Sequence, residues 1–148
     1  MPRTKPVLQL ALPLVVAACA SATTTTRVSA VPETRGALAQ VYYWRAKPGK
    51  LEEYSRYITD IAEKIDLEAG RQGAFVSVTT YVSTDSTTPW THMRVFVLRD
   101  STQLRGLAAA LDHAGVALEP DSVKRRIRGE YSATLRDRVG SAVLSILK

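Results

Sequence analysis

Residues 37–148 predict one α+β domain of order β-α-β-β-α, with two helices packed on one face of the sheet and a fourth strand as the natural completion. Three observations carry this. A run rich in aromatic and β-branched residues, LAQVYYWRA (38–46), is halted by Pro48-Gly49. A helical apolar seam follows at once. Two further runs, AFVSVTTYVS (74–83) and WTHMRVFVL (90–98), alternate with period two across a short polar loop. A stretch of 112 residues is the size of one ordinary domain, and it contains no internal repeat.

The elements follow in order. The first strand is 38–46, since aromatic and β-branched side chains fit a pleated, half-buried surface. Pro48 opens a helix in which Leu51, Tyr54, Ile58, Ile61 and Ile65 recur at spacings of 3, 4, 3 and 4. Gly70 is placed to end it. In the second strand Ala74, Val76, Val78, Thr80 and Val82 share a face opposite Phe75, Ser77, Thr79 and Tyr81. The loop Thr84–Pro89 makes a hairpin to the third strand, where Met93, Val95 and Val97 lie opposite Trp90, His92, Arg94 and Phe96. Asp100 or Ser101 caps a second helix with Leu104, Leu107, Ala108 and Leu111 at i, i+3, i+4 and i+7, and Gly115 or Pro120 closes it.

The C-terminal stretch carries two periods at once. Ile127, Gly129, Tyr131, Ala133 and Leu135 alternate with polar residues, as in a strand. Val123, Ile127, Tyr131, Leu135, Val139 and Val143 recur every four, as in a helix. Strand and helix both stay open for 126–138. Gly129, Tyr131 and Thr134 lower helix propensity, and a last strand would complete the sheet, so the strand is preferred.

Taken together, VYYWRAKPGKLEEYSRYI, the hairpin before WTHMRVFVL and the capped second helix resemble the dimeric α/β-barrel superfamily of ferredoxin-like domains, which includes the antibiotic-biosynthesis-monooxygenase-like and NIPSNAP-like groups. The resemblance covers most of 38–111 and is an order of elements, not a catalytic signature. It implies a homodimer in which one sheet face packs on the helices and the other faces a second copy across a ligand-holding lumen. On this expectation Met93, Val95 and Val97 face the helices. Trp90, His92, Arg94 and Phe96, joined by Tyr43, Trp44 and Tyr81, then line the lumen.

Chemical motifs are absent. The chain has no HExxH, no GxGxxG after a strand, no Walker loop and no G-x-S-x-G. With two His and one Cys, soft ligands alone cannot assemble a metal site, and no cofactor is expected. His92 is the weak catalytic candidate, as a general base or haem ligand, against the plainer reading of a half-exposed strand histidine. His113 reads as solvent-facing.

The N-terminus supplies an address. Arg3 and Lys5 precede an apolar run, 7–18, which is shorter than the roughly 20 residues a membrane span needs. It ends in Val16-Ala17-Ala18-Cys19, which resembles the lipobox of a bacterial lipoprotein, implying cleavage before Cys19 and its acylation. Ala18-Cys19-Ala20 also fits ordinary signal peptidase, which would release a soluble secreted protein. Ala20, where Asp commonly retains lipoproteins at the inner membrane, resembles an outer-membrane destination. The domains expected are therefore a signal peptide (1–18), a lipidated Thr-rich tether (19–36) and the 37–148 domain. As a coil the tether spans roughly 20–25 Å.

Loss of 1–18 removes two cations and lowers the formal net charge from +6 to +4. The excess concentrates after residue 120, around Lys124-Arg125-Arg126 and Arg128. In the envelope anionic lipid headgroups suit that cluster better than nucleic acid, and a plain solvated basic face suits it better still. Two functions of different class follow. The first is a non-enzymatic, outer-membrane-anchored lipoprotein whose dimeric domain binds a small apolar ligand or an envelope partner. The second is a cofactor-independent oxygenase-like enzyme working in the barrel lumen.

Overall fold

The computed structural model describes residues 38–147. Cys19 and the segments expected to be a signal peptide (1–18) and a tether (19–36) lie outside the described residues.

The first strand, β1 (Leu38–Ala46), turns at Gly49, whose φ of 74° suits a residue without a Cβ. A helical rod follows in three parts: α1 (Leu51–Tyr57), a π-helical turn (Ile58–Ala62) and α2 (Glu63–Arg71). Then come β2 (Ser77–Val82), β3 (His92–Leu98), α3 (Ser101–Leu118), α4 (Ser122–Leu135) and β4 (Arg136–Ser145). The four strands form one sheet of order β2-β3-β1-β4, antiparallel throughout, with β1 and β3 central. This is the ferredoxin-like arrangement of an α+β domain.

The helical seam shifts along the rod. Tyr54, Ile58, Asp66 and Ala69 are its buried residues, while Leu51 stands exposed. A stripe repeating every four residues drifts around a 3.6-residue helix, and the wider π turn takes up the drift at Ile58–Ala62. The rod runs past Gly70 to Arg71, and Gly73, at φ 79°, makes the left-handed turn expected of Gly70. Likewise α3 runs through a buried Gly115 to Leu118, leaving Pro120 just beyond it as the stop.

Both later helices start on an aspartate. Asp100 accepts hydrogen bonds from the backbone N–H of Thr102 (2.8 Å) and Gln103 (3.0 Å). Asp121 accepts from Val123 (2.8 Å) and Lys124 (3.2 Å). Substituting Asp100→Ala should lower stability by about 1 kcal/mol, read by urea denaturation, with Asp100→Asn losing less.

Residues 122–135 correct the preferred strand reading. They are helical because Asp121 caps them and the four-residue spacing brings Leu135 into full burial beside Tyr54, Ile58 and Ala46. Gly129 is exposed, where a helical glycine costs only about 1 kcal/mol. The completing strand exists one element later, and Val139 and Val143, counted in the helical series, belong to it. Three helical bodies, not two, therefore accompany the sheet: the rod, α3 and α4.

The second correction concerns the sheet faces. His92, Phe96 and Leu98 are fully buried beneath the helices, in register with Trp44, Gln40 and Leu38. Phe96 and Leu98 join Phe75, Ala69, Leu107 and Ala114 in the larger core cluster. Met93, Val95 and Val97, expected there, lie on the opposite face with Val41 and Tyr43. Across that face run Thr79 and Tyr81 from β2 and Ala142 and Leu144 from β4. Both faces of β1 and β3 are apolar, so the rule that places the apolar face against helices could not choose between them.

Candidate functional site

Helix-facing side chains of β1, β3 and β4 make a cleft floor under α3, α4 and the π turn. Register alone aligns Tyr42 with Arg94, Trp44 with both His92 and Arg138, and Ala46 with Arg136. Arg136 is its centre. Its guanidinium carbon lies 3.5 Å from the Trp44 ring centroid and 5.3 Å from that of Tyr54. Its Nη1 donates to Tyr54 Oη (2.9 Å) and its Nε to Ser132 Oγ (3.0 Å). Burial pushes the Tyr54 phenol pKa up, and Arg136 opposes that by favouring the phenolate.

Beside it, Arg94 pairs with Asp66 from the rod, with side chains 11% and 6% exposed. Burial raises the Asp66 pKa, with Arg94 pulling the other way. Arg94 Nε is buried and has no hydrogen-bond partner among the described residues. Arg138 holds its guanidinium carbon 4.9 Å from the Tyr42 ring centroid. Arg128 reaches in from α4 across Gly115, where a Cβ would stand 3.3 Å from its Nη2.

Two cavities open here. One of about 350 Å³ is lined by Ile58 and Ala62 of the π turn, Asp66, Arg94, Arg128 and Arg136 among others. The other, about 300 Å³, includes Tyr42, Trp44, Arg94, Leu111, Arg136 and Arg138. A larger trough of about 590 Å³ runs between α2 and the edge strand β2, past Leu67, Phe75 and Val78. Its charged groups, Glu63, Asp66 and Arg71, do not converge as the arginines of the cleft do, so the cleft is the better-built site.

His92 lines neither cavity. Its Nδ1 is 2.9 Å from Thr91 Oγ1, its Nε2 is 3.0 Å from Ser55 Oγ, and the edge of Tyr54 stands 4.4 Å away between centroids. Ser55 Oγ donates to Leu51 O (2.9 Å), so it accepts from Nε2–H, leaving Nδ1 to accept from Thr91. Desolvation and the charge of Arg136 lower the His92 pKa to about 4, so the ring is neutral near pH 7. This is a structural histidine with both nitrogens occupied, more deeply buried than the half-exposed reading allowed.

The residues expected to line one lumen divide between the two faces. Trp44, His92, Arg94 and Phe96 are under the helices. Tyr43 and Tyr81 lie on the open face, and Trp90 packs on Tyr43 at 6.0 Å, beside a hollow of about 300 Å³ shared with Pro89 and Val139. Asp66, Ser55, Arg136 and Arg138 escaped the sequence reading, which had Tyr54 only as part of the helical seam and Arg128 only in a basic surface cluster. Asp66 carried a signal, since it falls four-residue steps after Tyr54 and Ile58 on the buried stripe. Arg136 and Arg138 carried none, because the fold of 126–138 was open.

Among the described residues no three His, Cys, Asp or Glu side chains gather into a metal-binding group, and no helix is long and apolar enough to cross a membrane. No protein-family model matches the chain, and no curated protein matches it. Solved structures do. The crystal structure of HapK from Hahella chejuensis aligns with a TM-score of 0.52 at 8% identity, covering 74% of this chain and 92% of that one. A dimeric protein of unknown function and ferredoxin-like fold from Bacteroides fragilis aligns with a TM-score of 0.46 at 10% identity, over 76% and 97%. At such identities the likeness to HapK speaks for the fold alone, and the antiparallel strand order β2-β3-β1-β4 is what makes this chain's fold ferredoxin-like.

Proposed function

We propose that the chain is a lipid-tethered small-ligand-binding module of the cell envelope that works as a homodimer. One observation carries the dimer: among the described residues no helix packs on the second face of the sheet, and that face is mostly aliphatic and aromatic. An antiparallel sheet that meets water on one side normally alternates to polar residues there. Here the face away from the helices carries Tyr43, Met93, Val95 and Val97, half-buried, around buried Ala39 and Val41, with Leu144 exposed at its edge. A contiguous apolar patch of this kind marks an interaction surface, and a twofold axis lets one patch cover its own copy. The resemblance to dimeric barrels supports the same occupant.

Tyr81 and Leu144 are 49% and 50% exposed, so charging them spares the core. Tyr81→Glu with Leu144→Lys should yield a folded monomer by light scattering, with unchanged circular dichroism. A dimer that survives both substitutions would remove this interface.

The anchor reading rests on Val16-Ala17-Ala18-Cys19, with acylation of Cys19 holding the protein at the periplasmic side of the outer membrane. Two or three acyl chains, at about 0.8 kcal/mol per buried CH₂, make such an attachment effectively permanent. Cys19→Ala is expected to abolish acylation and move the protein out of the membrane fraction. An acylated, membrane-bound variant would end the lipobox argument.

A further inference from the structure

We propose that the helix-side cleft binds a small organic oxyanion, a carboxylate or phosphate group carried on a flat apolar body. The ligand class deepens the proposed binding role, but the site lies across the sheet from the dimer face and does not depend on it.

The charge balance points to an anion. Arg94, Arg128, Arg136 and Arg138 line the two cavities against Asp66 and Asp112, and Asp66 is taken by Arg94. Among the described residues the other three arginines form no salt bridge. A protein does not ordinarily gather unpaired guanidiniums in a half-enclosed space, where each repels the next. Each guanidinium brings five N–H donors. Arg136 uses two of its own on Tyr54 and Ser132, and Arg94 keeps a buried Nε without a partner. Forked donors of this type match the two oxygens of a carboxylate or the edge of a phosphate.

The walls define the rest of the ligand. Trp44 and Tyr42 already lie beneath the guanidiniums of Arg136 and Arg138, at 3.5 and 4.9 Å from ring centroid to guanidinium carbon, so both cations sit against aromatic surface before any ligand arrives. Leu111 gives both cavities apolar surface. The π turn contributes Ile58 and Ala62 to the larger cavity, and such turns recur at functional sites. Cavities of about 300 and 350 Å³ suit a molecule of roughly ten heavy atoms, not a polymer.

The test is calorimetric titration of the full-length chain in detergent with phenyl phosphate, benzoate and inorganic phosphate. Phenyl phosphate or benzoate should bind saturably at one site per chain, with inorganic phosphate at least about tenfold weaker because it leaves the apolar walls unfilled. Arg128→Gln and Arg138→Gln should each weaken binding about tenfold, the scale of one charge-assisted contact. Both should leave thermal unfolding in place, since neither arginine is in an ion pair. Arg45→Gln, an exposed arginine outside both cavities, should change nothing.

No saturable binding of either organic anion, binding indifferent to both cleft substitutions, or inorganic phosphate as tight as phenyl phosphate would each overturn the proposal. Masses measured on the same samples separate the two readings. A dimer that binds neither anion sinks the cleft alone, and a monomer that binds sinks the dimer alone.

Discussion

Asp66→Ala should destabilise the domain by about 3–5 kcal/mol, the largest effect of any single polar substitution considered. Asp66 and Arg94 are 6% and 11% exposed, so deleting the carboxylate strands a buried guanidinium that already has one unpartnered Nε. What is lost is less the attraction of the pair than the compensation for a charge out of water. The double replacement Asp66→Leu with Arg94→Met removes both charges at similar volume and should recover most of the loss. Urea denaturation of the single and double variants decides this. A double variant as unstable as Asp66→Ala would mean that the pair itself, not the orphaned charge, holds the rod against β3.

Acidification should cost the fold about 3 kcal/mol through His92 alone. Its pKa is lowered from 6.5 to about 4 in the folded state, chiefly by desolvation. At pH above 6.5 both states hold a neutral ring and the full contribution is present. Below that, the unfolded chain takes up a proton that the native site resists, so stability falls with pH down to about 4. Asp66 works in the opposite sense, because burial raises its pKa and its contribution is lost as pH rises. Subtracting a His92→Leu variant isolates the histidine. That substitution leaves Ser55 bonded to Leu51 O, and Thr91 within 3.3 Å of Trp44 O, so few polar groups are orphaned. Denaturation midpoints of the two proteins should converge between pH 7 and 4. Parallel curves would show that the folded site takes up the proton as readily as the unfolded chain.

How much of this was written in the sequence depends on how local each signal is. β1, the rod, the hairpin and α3 were legible because their stop and start signals sit within a few residues: Pro48-Gly49, the Thr84–Pro89 loop, the Asp100 cap. The C-terminal stretch was not, because residues 127–135 satisfy both periods. The cap at Asp121 and the burial of Leu135 decide for helix, and that burial depends on Tyr54 and Ile58, some 80 positions earlier. The orientation of β3 was illegible for a related reason. Its two faces are both apolar enough to be buried, and which one meets the helices follows from pairing with β1, where Trp44 brings His92 inward.

The cleft was the least visible. Its arginines come from three elements separated by up to 44 positions; Arg94 alone was expected in a pocket, and Arg128, Arg136 and Arg138 each read as surface charge. The pairing of β1 with β4, broken by a register shift at Tyr43/Trp44, brings Arg136 and Arg138 beside Trp44 and Tyr42. Two apolar sheet faces, one covered by helices and one with no helix on it among the described residues, leave the second as the feature that most needs a partner.

Sedimentation equilibrium of the full-length chain in a density-matched detergent tests that claim most directly. The account predicts the mass of two chains across the micromolar range, falling to one chain with Tyr81→Glu and Leu144→Lys. The mass of a single chain at every concentration would contradict it, and the aliphatic face of the sheet would then need another occupant.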